Sequence, residues 1–142
     1  MTSYNAQIVH QVTSWDGITA QPHRFGGTEF NIGQVEIGHI HGSHMLDVPF
    51  TVKIRESLVA AGEAHPHHLL HASGWISFYL RKDADVQQAI KLLRLSYLQK
   101  RLRRADPTTR AAYEQEIAAL PISAALKNAL LARRAERQQD AV

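Results

Sequence analysis

The sequence predicts an α+β fold: a mostly antiparallel β-sheet with helices packed on one face and a C-terminal helical extension. Three observations carry this. The stretch "FGGTEFNIGQVEIGHIH" reads as two alternating strands about a tight turn. "WISFYL" is apolar at nearly every position, as a strand covered on both faces should be. "DADVQQAIKLLRLSYLQKRLRR" carries an apolar stripe at helical spacing, and further helical sequence follows it. The order of elements, α-β-β-β-β-α-β-α-α-α, lacks the regular strand–helix alternation of a parallel sheet.

Residues 3–13 read as a short helix, with Ile8, Val9 and Val12 at helical spacing. Strand-like sequence runs over residues 18–24. Gly33-Gln34 then fits a two-residue turn with glycine first, the II′ pattern. That register opposes Ile32 to Val35, Phe30 to Ile37, Thr28 to His39 and Gly26 to His41. Side chains alternate along a strand, so Val35, Ile37, His39 and His41 are expected on one face. Thr28 and Gly26 would leave room above the two imidazoles, on a face that begins apolar and points to the core. "MLDVPF" is a further short strand, and Pro49 places it at an edge or ends it.

"TVKIRESLVAAG" reads as a helix with Thr51 as N-cap, Ile54 and Leu58 inward and Gly62 ending it. "EAHPHHLLHASG" is a loop or irregular strand before the central strand "WISFYL". In the long helix, Asp85 and Gln88 have capping-box spacing, and Val86, Ile90, Leu93 and Tyr97 form the inner stripe. Asp106-Pro107 is an N-cap with proline at N1, opening another helix. A last helix starts near Ile122 and frays in "RRAERQQDAV". The chain divides into an α+β domain over residues 1–105 and a helical extension over 106–142, packed on it or continuing from it.

At 142 residues the chain can bury roughly two-thirds of its unfolded surface. It has no cysteine, which removes disulfides, thiolate metal sites and a cysteine nucleophile. No basic-then-apolar leader opens the chain, and no apolar run approaches the ~20 residues of a membrane span. A cytoplasmic location is the expectation. The net charge of +3 hides a split. Residues 1–80 hold three basic against six acidic side chains, whereas residues 81–142 hold thirteen against seven. All nine histidines lie between positions 10 and 71. Chemistry is therefore expected in the first half.

The histidines support two chemistries and one bland alternative, in which they are ordinary hydrogen-bonded strand residues. His39 and His41 share a face, and His44 can return after the Gly42-Ser43 turn as a third ligand, with Asp47 nearby. That set would suit zinc, or iron with a carboxylate. Proton transfer is the preferred reading, since an imidazole accepts and returns protons near neutrality. His39, His41, His44 and His68 are then the acid–base candidates. The second cluster, "HPHHLLH", supplies His65, His67 and His68 either as a cap over the first or as a solvated loop. Trp75 and Tyr79 alternate on the central strand, facing core or ligand. Arg24 and Asp47 pair with each other, or orient a histidine or an anionic ligand. No nucleophile elbow, P-loop or dinucleotide fingerprint occurs. The basic helix is read as the solvated face of a packed helix, in preference to a non-catalytic interaction module in which the basic helices touch nucleic acid or an anionic membrane. A small-molecule substrate is the expected partner, and nothing in the sequence fixes an oligomeric state.

"RFGGTEFNIGQVEIGHIHGSHMLDVPF", "IRESLVAAGEAHPHH" and "SGWISFYLRKDADVQQAIKLLRLSY" resemble the luciferase-domain family of bacterial and fungal proteins. The likeness spans about residues 15–98, and "EIGHIHGSH" is its most specific piece. It implies a histidine-lined pocket in which a hydroxylated pyrone reacts with molecular oxygen as co-substrate, without a metal or organic cofactor. An imidazole base would remove the enol proton. By matching, the resemblance makes His39, His41 and His44 the pocket histidines, and it leaves His65, His67 and His68 undivided.

Overall fold

The computed structural model describes residues 3–23, 26–42 and 44–132. The elements are α1 (Tyr4–Val12), β1 (Ile18–Pro22), β2 (Thr28–Ile32), β3 (Val35–His41), β4 (Met45–Pro49), α2 (Val52–Ala60), β5 (His65–Pro66), β6 (Trp75–Tyr79), α3 (Ala84–Leu102), α4 (Pro107–Ala119) and α5 (Ala124–Leu131). The strands form one antiparallel sheet in the order β1-β2-β3-β4-β6-β5. The α+β class is thus observed, with a two-residue β5 in the segment read as loop or irregular strand. No described helix is long and apolar enough to cross a membrane.

The helix starts follow local chemistry. Ser3, Thr51, Asp106 and Ser123 each accept a hydrogen bond from a first-turn amide. The capping box expected at Asp85 and Gln88 does not form. Asp83 occupies the N-cap, and Asp85 reaches back to the amides of Arg81 and Lys82. Gln88 instead donates to the Glu63 carbonyl. Pro49 ends β4, but β4 is interior, between β3 and β6. Proline is tolerated there because it is the last residue of the strand.

One apolar cluster lies on the helical side of the sheet. It joins Phe30, Ile37, Ile40, Leu46, Val48 and Ile76 of the strands to Leu92, Leu93 and Tyr97 of α3 and Ile54 and Leu58 of α2. Ile117, Leu126 and Leu130 of the last two helices enter the same cluster. α3 is therefore buried well beyond the four-residue stripe read from its sequence, with Leu95, Ser96, Leu98 and Gln99 also covered.

The hairpin carries the main correction. Gly33 has φ +59° and Ile32 opposes Val35, as the II′ turn requires. The register then shifts: Asn31 opposes Glu36, but Phe30 opposes Gly38, leaving Ile37 as the extra residue of a β-bulge. His39 therefore pairs with Glu29 and Ile40 with Thr28, while His41 pairs with Met45 of β4. A one-residue slip exchanges the faces. Ile37 and Ile40 enter the core, whereas Glu36, His39 and His41 come together on the opposite face, away from the described helices. The histidines do not extend the apolar face, and Thr28 shares Ile40's face rather than standing over an imidazole. Gly38 makes the arrangement possible, because a Cβ there would lie 2.6 Å from Leu93 Cδ2 and 3.1 Å from the Asp47 carbonyl.

Candidate functional site

On the face away from the described helices, the register sets His39 of β3 beside Asp47 of β4, and Asp47 beside Ser77 of β6. The loop after β5 folds back over them. His67 donates its amide to the Trp75 carbonyl, and Arg55 ties down the far end through the His71 and Ser73 carbonyls. The result is a cavity of about 260 Å³ lined by His23, Glu36, His39, His41, His67, His68, Leu69, Leu70 and Trp75.

Asp47 is fully buried and anchors the site. Its Oδ1 accepts a 2.7 Å hydrogen bond from the Ser77 hydroxyl. Its Oδ2 stands 2.7 Å from His41 Nε2, 3.3 Å from His39 Nε2 and 3.4 Å from His67 Nε2. None of these ring N–H groups is aligned for a hydrogen bond to Oδ2. His39 Nε2 and His41 Nε2 are 3.0 Å apart, and His39 Nδ1 lies 2.5 Å from Glu36 Oε2. His23 stacks on His39 with ring centroids 4.0 Å apart.

The environment separates the titrating groups. Burial disfavours the His39 imidazolium, but contacts with Asp47 and Glu36 outweigh it and raise its pKa to about 9. Burial would raise the Asp47 pKa, yet His39, Ser77 and the neighbouring His67 hold it down at about 2. His67 and His23 are lowered, in both cases chiefly by burial.

Donor counting fixes two tautomers. His67 Nδ1 accepts from the amides of Leu69 and Leu70, at 3.1 and 3.0 Å, so a neutral ring carries its proton on Nε2. Ser77 gives its single hydroxyl proton to Asp47. It must therefore accept from the His68 amide at 3.3 Å and from His68 Nδ1 at 3.2 Å. A neutral His68 ring is thus protonated on Nδ1, with its lone pair on Nε2.

Of the residues singled out from the sequence, the structure brings together His39, His41, His67, His68, Asp47 and Trp75. His44 is exposed on the β3–β4 turn and does not line the cavity, so it is not the third histidine of the cluster. Asp47 and the His67–His68 pair take that place. His65 is exposed and lies against Tyr79, whose ring is also covered by the Arg81 guanidinium, and neither lines the cavity. Arg24 lies outside the described residues, as does the tail expected to fray. Sequence reasoning missed His23, Glu36 and Ser77. A glycine inside a strand often marks a bulge, so Gly38 was the available signal that Glu36 joins the histidine face. Nothing local marked His23.

The fold and site define a small α+β protein with a histidine–carboxylate pocket on the face of an antiparallel sheet that lies away from the described helices. The luciferase-domain family model matches residues 34–96, from the β2–β3 turn into α3, so this stretch of the chain is similar to that domain. Every cavity-lining residue except His23 falls inside the match. No curated protein and no solved structure matches the chain.

Proposed function

We propose that this protein is an oxygenase for a small enolic or phenolic compound, with His68 as the base that receives the substrate's proton. The observation that supports this is the hydrogen-bond count at Ser77. Asp47 takes the hydroxyl proton, Ser77 accepts from His68 Nδ1, and the basic nitrogen of His68 is left without a competing proton. His68 is also a cavity-lining histidine whose side chain reaches solvent. An incoming hydroxyl can meet it without rearrangement of the floor.

The walls suit a planar ring. Trp75 supplies an aromatic face, Leu69 and Leu70 an apolar rim, and the imidazoles supply donors for the anion that forms. Loss of the hydroxyl proton to His68 gives an electron-rich carbon, and molecular oxygen is the co-substrate. The enolate supplies the electrons of the new C–O bond, and the proton on His68 passes to the distal oxygen, leaving a hydroperoxide.

Oxygen uptake with hydroxypyrones and catechols tests the proposal. Wild-type protein is expected to consume oxygen, and His68→Gln to be slower by ~100-fold or more, the usual contribution of a general base. Unchanged uptake in His68→Gln, or none by wild type with either compound class, contradicts it.

A further inference from the structure

We propose that His39 Nε2, His41 Nε2 and Asp47 Oδ2 form a three-point site for one divalent transition-metal ion at the floor of this cavity. The proposal rests on reading the cavity as the chemical site, but not on the identity of the substrate. It departs from the family resemblance, which implies oxygen chemistry without a metal.

The spacing is the first argument. The three donor atoms stand 3.0, 2.7 and 3.3 Å from one another. Ligand atoms bound to one ion at right angles, each at 2.0–2.2 Å, stand ~3 Å apart. The second argument is Asp47 Oδ2. It is buried beneath three imidazole nitrogens yet accepts no aligned hydrogen bond from any of them. Ser77 satisfies only the other oxygen, and so fixes the carboxylate with Oδ2 turned toward the imidazoles.

The surroundings agree. Glu36 holds His39 by Nδ1, so the Nε2 lone pair faces the site once an incoming ion displaces its proton, the usual outer arrangement around a ligating histidine. His67 is excluded as a ligand through Nε2, because two backbone amides at Nδ1 keep the proton on that nitrogen. His23 is near enough to add a nitrogen to the His39–His41 pair. Two histidines and one carboxylate on one side of an ion leave positions open for small ligands. That is the pattern of oxygen-activating ferrous sites, as distinct from closed structural zinc sites.

Cobalt(II) alone is the probe. Protein purified without a histidine tag and stripped with chelator is titrated without oxygen, followed by calorimetry and by the visible absorption of bound cobalt. One ion per chain is expected. His39→Gln and Asp47→Asn are expected to weaken binding at least tenfold, and Glu36→Gln about 10- to 100-fold. His44→Gln should bind as wild type does, and circular dichroism checks that each variant folds. If Asp47→Asn does not fold, the wild-type stoichiometry and His39→Gln still decide. No cobalt binding, or binding indifferent to His39→Gln, overturns the proposal. Cobalt bound as expected without oxygen uptake in the turnover assay removes the oxygenase reading and leaves the metal site. Oxygen uptake that survives chelation, in protein that binds no cobalt, does the reverse.

Discussion

At the scale of single residues, the site depends on one side chain that carries no charge signature. Ser77 is fully buried and joins Asp47 Oδ1 to His68. Ser77→Ala would leave a buried carboxylate oxygen and a histidine N–H without partners, at a cost of about 1–3 kcal/mol. It should also release the His68 tautomer. Lower thermal stability together with slower oxygen uptake is the expected outcome. Unaltered uptake would show that His68 does not depend on this hydroxyl. His39 and His41 were legible in the sequence because His-x-His on a strand must point one way. His44 was not excluded by any local rule. Asp47 was legible as a polar residue near the cluster, but not as its centre, because that role comes from pairing with two different strands.

At the scale of elements, the β-bulge at Ile37 decides which face bears the histidine cluster. Strict alternation from Val35 correctly links His39 with His41 but sends Glu36 to the wrong side. One extra residue restores it: Ile37 keeps its expected place in the core, Ile40 joins it, and the two histidines move to the face of Glu36. Gly38 lets α3 approach at this point. Gly38→Ala would drive a methyl group into Leu93 and the Asp47 carbonyl, and overpacking of this kind costs about 1–3 kcal/mol. Cobalt affinity should fall in the same variant, since the strain falls on the strands that carry all three proposed ligands. A variant as stable as wild type would mean that the α3 contact yields freely. Helix and strand existence was otherwise legible, because caps, the II′ glycine and apolar periodicity are local. The capping box at Asp85 failed for a local reason too: its carboxylate is already used by the two amides before the helix.

At the scale of the whole molecule, several of the basic side chains in the second half are engaged by internal pairing. Lys91 pairs with Glu63, Arg94 makes a two-point contact with Glu116, and Arg101 reaches Asp16 and Tyr113. Lys100 donates inward to the Pro49 carbonyl and the Ser96 hydroxyl. The basic stretch of α3 thus fastens helices and sheet together, and the histidine cavity lies on the sheet's other side. Sequence alone could not show this, since every partner except Ser96 lies at least 12 positions away. The most direct test of the division is histidine and tryptophan side-chain NMR during titration with a hydroxypyrone. Signals of His41, His68 and the Trp75 indole should shift together and saturate together, while those of His10, His44 and Trp15 stay in place. Shifts confined to the second group, or no shift at any concentration that dissolves, would contradict a ligand cavity on the histidine face.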